Sequence, residues 1–230
     1  MTLAYHGRLK EADGLSARAV SLSRQAGLPG RATMFQGAAA LWNALFRKRG
    51  EAQACVTVAL SLFRSRDADY GPAFALALLQ DSAAAHSIAR ELEQHYPQDT
   101  SVQFSYVPTL RALEALNQDD PTKALKMTQA AAPYDLAVPG TAYFTGASFF
   151  GTPNAVYVRG LAYSRVGRYA AEFQKILDHP GLVLNDPIGP MARLQLARAL
   201  SASGDRTRSA AVYHDVVAIW KDADADLPIV

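Results

Sequence analysis

The sequence predicts an all-α protein made of helix pairs stacked in series, and three observations predict it. Of its 230 residues, 43 are alanine, the strongest helix former and a poor strand former. Apolar residues return at spacings of three and four along most of the chain. Glycine, aspartate and proline interrupt these runs at points that leave room only for tight turns. Composition excludes several alternatives. Half of the chain is hydrophobic and 19% is charged, which is not the balance of a disordered segment. A formal charge of +2 gives bulk electrostatics no hold on nucleic acid or an acidic membrane. One cysteine, Cys55, excludes an internal disulfide. No apolar run reaches the length of a transmembrane helix, and the N-terminus, with Arg8, Lys10 and Glu11, lacks a signal-peptide core. A cytoplasmic location is the expectation.

The elements follow in order. Gly7 reads as a turn glycine, followed by a helix through Ala12 and Ala19 to about Gln25. Gly27-Leu28-Pro29-Gly30 stops that helix, with a glycine past the last turn and a proline two residues on. The next pair has Leu41, Trp42, Leu45 and Phe46, a turn at Gly50, then Ala54, Val58, Ala59 and Phe63. A third pair runs from about Pro72 to Leu79, turns at Gln80-Asp81, and continues through Ala85, Ala89 and Leu92 to Pro97. A fourth runs from about Thr100 to Leu116 and from Thr122 to Ala131. Asp120-Pro121 starts its second helix with a capping acceptor and a proline at the first position. Pro108 predicts a kink or break in its first helix.

The segment 133–153 carries prolines, glycines and five aromatics (Tyr134, Tyr143, Phe144, Phe149, Phe150). It reads as a long ordered connection between an N-terminal block, 1–132, and a C-terminal block, 154–230, of one array. Two pairs follow it. Val156–Tyr163 turns at Gly167 into Ala170–Leu177. Leu194, Leu196, Ala197 and Leu200 turn at Gly204-Asp205 into Ala210, Tyr213, Val216, Val217 and Trp220.

Helix, tight turn, helix, with small residues at fixed offsets, resembles the tetratricopeptide repeat. The resemblance implies a superhelical array of about five to six units, because small residues at each crossing let paired helices approach. Only six residues precede Gly7, so the first unit reads as truncated. The helix around Leu15, Ala19 and Leu22 is then expected to be uncovered, open to self-association or to an upstream part of a longer polypeptide. The stretches Tyr157–Gly160, Glu172–His179, Val183–Gly189, Leu194–Leu196 and Trp220–Asp224 are similar to a C-terminal repeat region of bacterial proteins. There it follows a eukaryotic-like serine/threonine kinase domain or a winged-helix regulatory domain. The turn between Gly167 and Phe173 is about three residues shorter than that pattern. In this family the first helices line a concave groove that receives proteins or peptides. Its groove-facing offsets fall on Arg47, Tyr106, Tyr157, Arg165 and Arg198.

Signals for chemistry are poor. Kinase motifs are missing, so any kinase activity would belong to an upstream domain. Gly146–Thr152 matches a P-loop superficially but lacks its lysine. Asp222, Asp224 and Asp226 alternate like a calcium loop, yet Leu227 replaces the turn glycine. His6, His86, His95, His179 and His214 show no metal-ligand spacing, and Cys55 sits where a second helix wants a small residue. No catalytic residue, cofactor or metal is therefore expected. The leading reading is a non-catalytic protein-interaction scaffold, the docking or sensing region of a bacterial signalling protein. An RNA-binding helical repeat and a helical enzyme with a pocket under the 133–153 loop are the alternatives.

Overall fold

The computed structural model describes residues 1–137, 153–168 and 171–228. Its elements are α1 (Thr2–Tyr5), α2 (Leu9–Gln25), α3 (Pro29–Leu45), α4 (Arg49–Leu62), α5 (Arg66–Leu78) and α6 (Ser82–His95). A π-turn (Val102–Tyr106) leads into α7 (Val107–Asn117), and α8 (Pro121–Thr128) runs into a 3₁₀ segment (Gln129–Tyr134). Then come α9 (Pro153–Arg165), α10 (Ala171–Leu177), α11 (Pro180–Val183), α12 (Ile188–Ala202) and α13 (Arg206–Ile219). No strand occurs among the described residues, and none of their helices is long and apolar enough to cross a membrane.

Successive helices pair: α1 with α2, α3 with α4, α5 with α6, α7 with α8, α9 with α10, and α12 with α13. The first helix of each pair also packs on first helices of neighbouring pairs. From α3 onward, first helices are therefore buried nearly all round. In α3 every residue from Gly37 to Leu45 is buried, and in α9 every residue from Asn154 to Gly160. Second helices bury one stripe, as in α6 with Ala85, Ile88, Ala89 and Leu92. A helix apolar on all sides belongs inside and an amphipathic one outside. The result is an inner layer of first helices and an outer layer of second helices.

The turns inside the pairs share a backbone device. Gly7, Arg47, Gln80, Asp119, Gly167 and Gly204 all have positive φ. Each amide near these positions returns to the helix just ended, as Arg47 N–H does to Ala44 O at 3.0 Å and Lys48 N–H to Asn43 O at 2.8 Å. Asp81, Asp120 and Asp205 then cap α6, α8 and α13 by accepting from Ala84, Lys123 and Arg208 amides. The second pair corrects the sequence reading: Arg47 holds the turn, and Gly50 lies inside α4.

Pro108 does produce an irregularity, displaced by a few residues. With no N–H it cannot bond the carbonyl of Phe104. The chain answers with the preceding π-turn, in which the Val107 amide reaches back to Val102 O. Downstream, Gly160 is the small crossing residue of its pair. The ring of Phe173 lies so close that a Cβ there would stand 2.6 Å from Phe173 Cε1. The shortened turn before Phe173 includes residues 169–170, outside the described residues.

The array closes. Trp220 Nε1–H donates to Tyr5 O at 3.1 Å, Asn185 donates to Thr2 Oγ1 at 3.1 Å, and the Asp224 amide donates to Gly7 O at 3.1 Å. Asp224 also caps α2, its carboxylate accepting from the Lys10 amide at 2.9 Å. The first helix of the first pair is short, α1 having 4 residues and α3 having 17. Its turn is not left bare, however: Ala223 and Leu227 pack on Gly7. Leu15 and Leu22 stay exposed, at 59% and 56%, beside an apolar groove of about 330 Å³. The expected uncovered face is thus confined to this flank of α2. Of the 133–153 connection, Pro133 and Tyr134 belong to the 3₁₀ segment, where Tyr134 packs on Phe104. Tyr143, Phe144, Phe149, Phe150 and the P-loop-like Gly146–Thr152 lie outside the described residues.

Candidate ligand-binding mouth

The inner helices α3, α5, α7 and α9 finish at the same end of the ring. There they surround, with α12, a cavity of about 330 Å³. Four of the five residues expected to face a groove line it: Arg47 after α3, Tyr157 and Arg165 on α9, and Arg198 on α12. Their positions follow from helix geometry. Tyr157, Leu161 and Ser164 stand at i, i+4 and i+7 on one face of α9, and Gln195 and Arg198 at i and i+3 on α12.

Tyr106 does not reach this mouth. It is 2% exposed, its ring stacks on Tyr70 with centroids 3.9 Å apart, and its hydroxyl donates to Asp67 at 2.9 Å. Position along the helix accounts for this. The mouth is lined by Leu113, Leu116 and Asn117 towards the end of α7. Tyr106 stands at its start, about 10 Å along the axis from Leu113.

Buried residues close the floor: Tyr157 at 4% exposed, Leu113 at 3% and Ala77 at 1%. The cavity is therefore blind. Burial pushes the Tyr157 phenol up to about 12, with a hydrogen bond from Gln195 and the charges of Arg198 and Arg47 opposing the rise. The phenol is thus a neutral hydrogen-bonding group at physiological pH. Arg165 pairs with Asp119 at 3.0 Å, both side chains largely exposed, a weak contact. Arg47 and Arg198 have no acidic partner among the described residues. Asn117, Ser164 and Gln195 add polar groups that the sequence reading missed. Their signal was present in the same spacing as the arginines, but uncharged residues at those offsets do not stand out.

A second cavity, of about 600 Å³, lies outside the ring between α6, α7 and α8. Here His86 contacts Glu114 at 2.9 Å, and Arg111 pairs with Glu93 at 3.1 Å. No hydroxyl or thiol nucleophile lines it. Cys55 lies elsewhere, and burial pushes its thiol up to about 11, away from the reactive thiolate. Among the described residues no cluster of histidine, cysteine and acid groups could hold a metal ion. Asp224 and Asp226 are engaged as cap and ion-pair partners, Asp226 with Lys10 and Lys48. No family model, curated protein or solved structure matches the chain.

Proposed function

We propose that the chain is a non-catalytic interaction scaffold of the tetratricopeptide-repeat kind, serving as the docking or sensing region of a bacterial signalling protein. The observation that carries this reading is the convergence of Arg47, Tyr157, Arg165 and Arg198, from two inner helices and one turn, on a single mouth. Arginine grips carboxylates and phosphates through two parallel hydrogen bonds, and tyrosine is a frequent interface anchor. The partner is therefore one that offers an acidic group to the end of the ring. One further observation supports binding over catalysis: among the described residues, no histidine or carboxylate lines the cavity to act as a base.

The test compares partner recovery by the wild-type chain and by its Arg165→Ala/Arg198→Ala variant. A partner held by the wild type and lost by the variant supports the reading. Equal recovery of every partner discards the mouth as the site. Tight, salt-dependent binding to a mixed RNA pool would put an RNA-binding repeat in its place.

A further inference from the structure

We propose that the mouth is a binding site for a compact organic dianion, either a phosphomonoester or a dicarboxylate, held inside the ring. This deepens the scaffold reading and rests on its placing of the site. Charge sets the class. Three guanidiniums face the mouth, and Asp119 answers that of Arg165. Arg47, exposed, and Arg198, half-buried, have no acidic partner among the described residues and are open to an anion. They are not occupied in capping the helix ends around them. The Arg47 amide takes Ala44 O and the Gln80 amide takes Ala77 O, while Asn117 Nδ2 also donates to Ala77 O at 2.9 Å.

Shape sets the size. The floor is closed by Tyr157 and Leu113, and the ring is closed by the 220–227 segment against Gly7. An extended chain cannot thread through. A cavity of about 330 Å³ equals the liquid volume of about ten waters, so the ligand has on the order of ten non-hydrogen atoms. Leu45, Leu78, Leu116 and Leu161 give part of the wall to an apolar body. Gln195 adds an amide at the wall, while Asn117 and Ser164 spend their donors on Ala77 O, Ser82 Oγ and Gly160 O and leave the anion to the arginines. A few placed polar groups in an apolar pocket are what selective small-ligand sites have in common.

The experiment is calorimetric titration of the full chain, at fixed ionic strength, with phenyl phosphate, succinate and the monoanion benzoate. One dianion is expected to bind at one site per chain with a Kd of about 1 mM or tighter, and benzoate more weakly. Binding by phenyl phosphate alone identifies the phosphomonoester, and by succinate alone the dicarboxylate. Arg47→Ala and Arg198→Ala are each expected to weaken binding at least about tenfold, and Arg165→Ala less. Arg47→Lys and Arg198→Lys keep the charge, so a graded loss through them gives the same reading if an alanine variant does not fold. Failure of both dianions to bind at about 10 mM overturns the proposal, as does binding unchanged in folded Arg47→Ala/Arg198→Ala. An acidic peptide that binds at the mouth and is not displaced by either dianion also overturns it, while leaving the scaffold reading standing.

Discussion

Trp220 packs on Phe46 with ring centroids 5.4 Å apart, joining the end of the last helix pair to the turn of the second. The contact joins residues about three quarters of the chain apart. With the Trp220 bond to Tyr5 O it holds the ring shut. Trp220→Ala removes a side chain 7% exposed and is expected to destabilise the fold by about 3–5 kcal/mol. Trp220→Phe keeps most of the packing and loses the donor, so its cost is about 1 kcal/mol. Urea denaturation of the two variants measures both. An alanine variant as stable as wild type would mean that the closure contributes nothing to folding.

Gly160 admits no side chain without movement of Phe173, whose Cε1 lies 2.6 Å from where a Cβ would stand. Gly160→Ala is expected to lower stability by about 1–3 kcal/mol through overpacking, although alanine is the better helix former. Phe173→Leu in the same chain relieves the clash and is expected to recover part of the loss. Thermal unfolding of the single and double variants decides it. A Gly160→Ala variant more stable than wild type would show that helix propensity outweighs the crossing.

These two sites show where the sequence speaks and where it is silent. Gly7, Gly167 and Gly204 are legible as turns because glycine enters positive φ without a steric penalty. Arg47 and Asp119 occupy the same conformation with no such signal, which is why Gly50 looked like the turn of the second pair. The arginines of the mouth are legible only through the groove-facing offsets of the repeat family that the sequence resembles. Tyr106 is not, because it stands about two turns along α7 from the mouth, a depth that an offset does not reveal. Closure is not legible either. Asp224 and Asp226 show only an alternation of acids until Gly7, Lys10 and Lys48 are beside them. Contacts between distant segments leave no local periodicity to read.

Arg159 is buried and grips Asp135, whose carboxylate also takes Lys175 at 2.7 Å; the same guanidinium reaches Glu172 at 2.6 Å. This network ties the 3₁₀ segment after α8 to α9 and α10. Arg159→Met leaves the carboxylate of Asp135, 3% exposed, short of its main partner. A loss of about 3–5 kcal/mol is expected. Replacing both partners, as Arg159→Met/Asp135→Leu, removes the unpaired charge and is expected to recover much of that loss. The difference between the two variants, read from chemical denaturation, separates the value of the ion pair from the penalty of breaking it. Equal destabilisation by both would assign the effect to packing.

Asp186 lies just before α12, its carboxylate accepting from the Ile188 amide at 2.9 Å. Burial pushes this carboxyl up to about 7, against the opposing hydrogen bond and the charge of the Met1 amine. The folded value therefore lies above the unfolded one, near 3.8. Between the two, the folded state holds more protons than the unfolded state, so stability falls as pH rises. The slope from this group is up to about 1.4 kcal/mol per pH unit, present from about pH 4 to pH 7 and flat above. Asp186→Asn keeps the acceptor for Ile188 and removes the titration. The variant is expected to gain on wild type progressively from pH 4 to pH 7 and to hold a constant advantage at pH 8. Denaturation midpoints measured across that range check the sign. A variant whose difference from wild type does not change with pH would show that the Asp186 carboxyl titrates alike in both states.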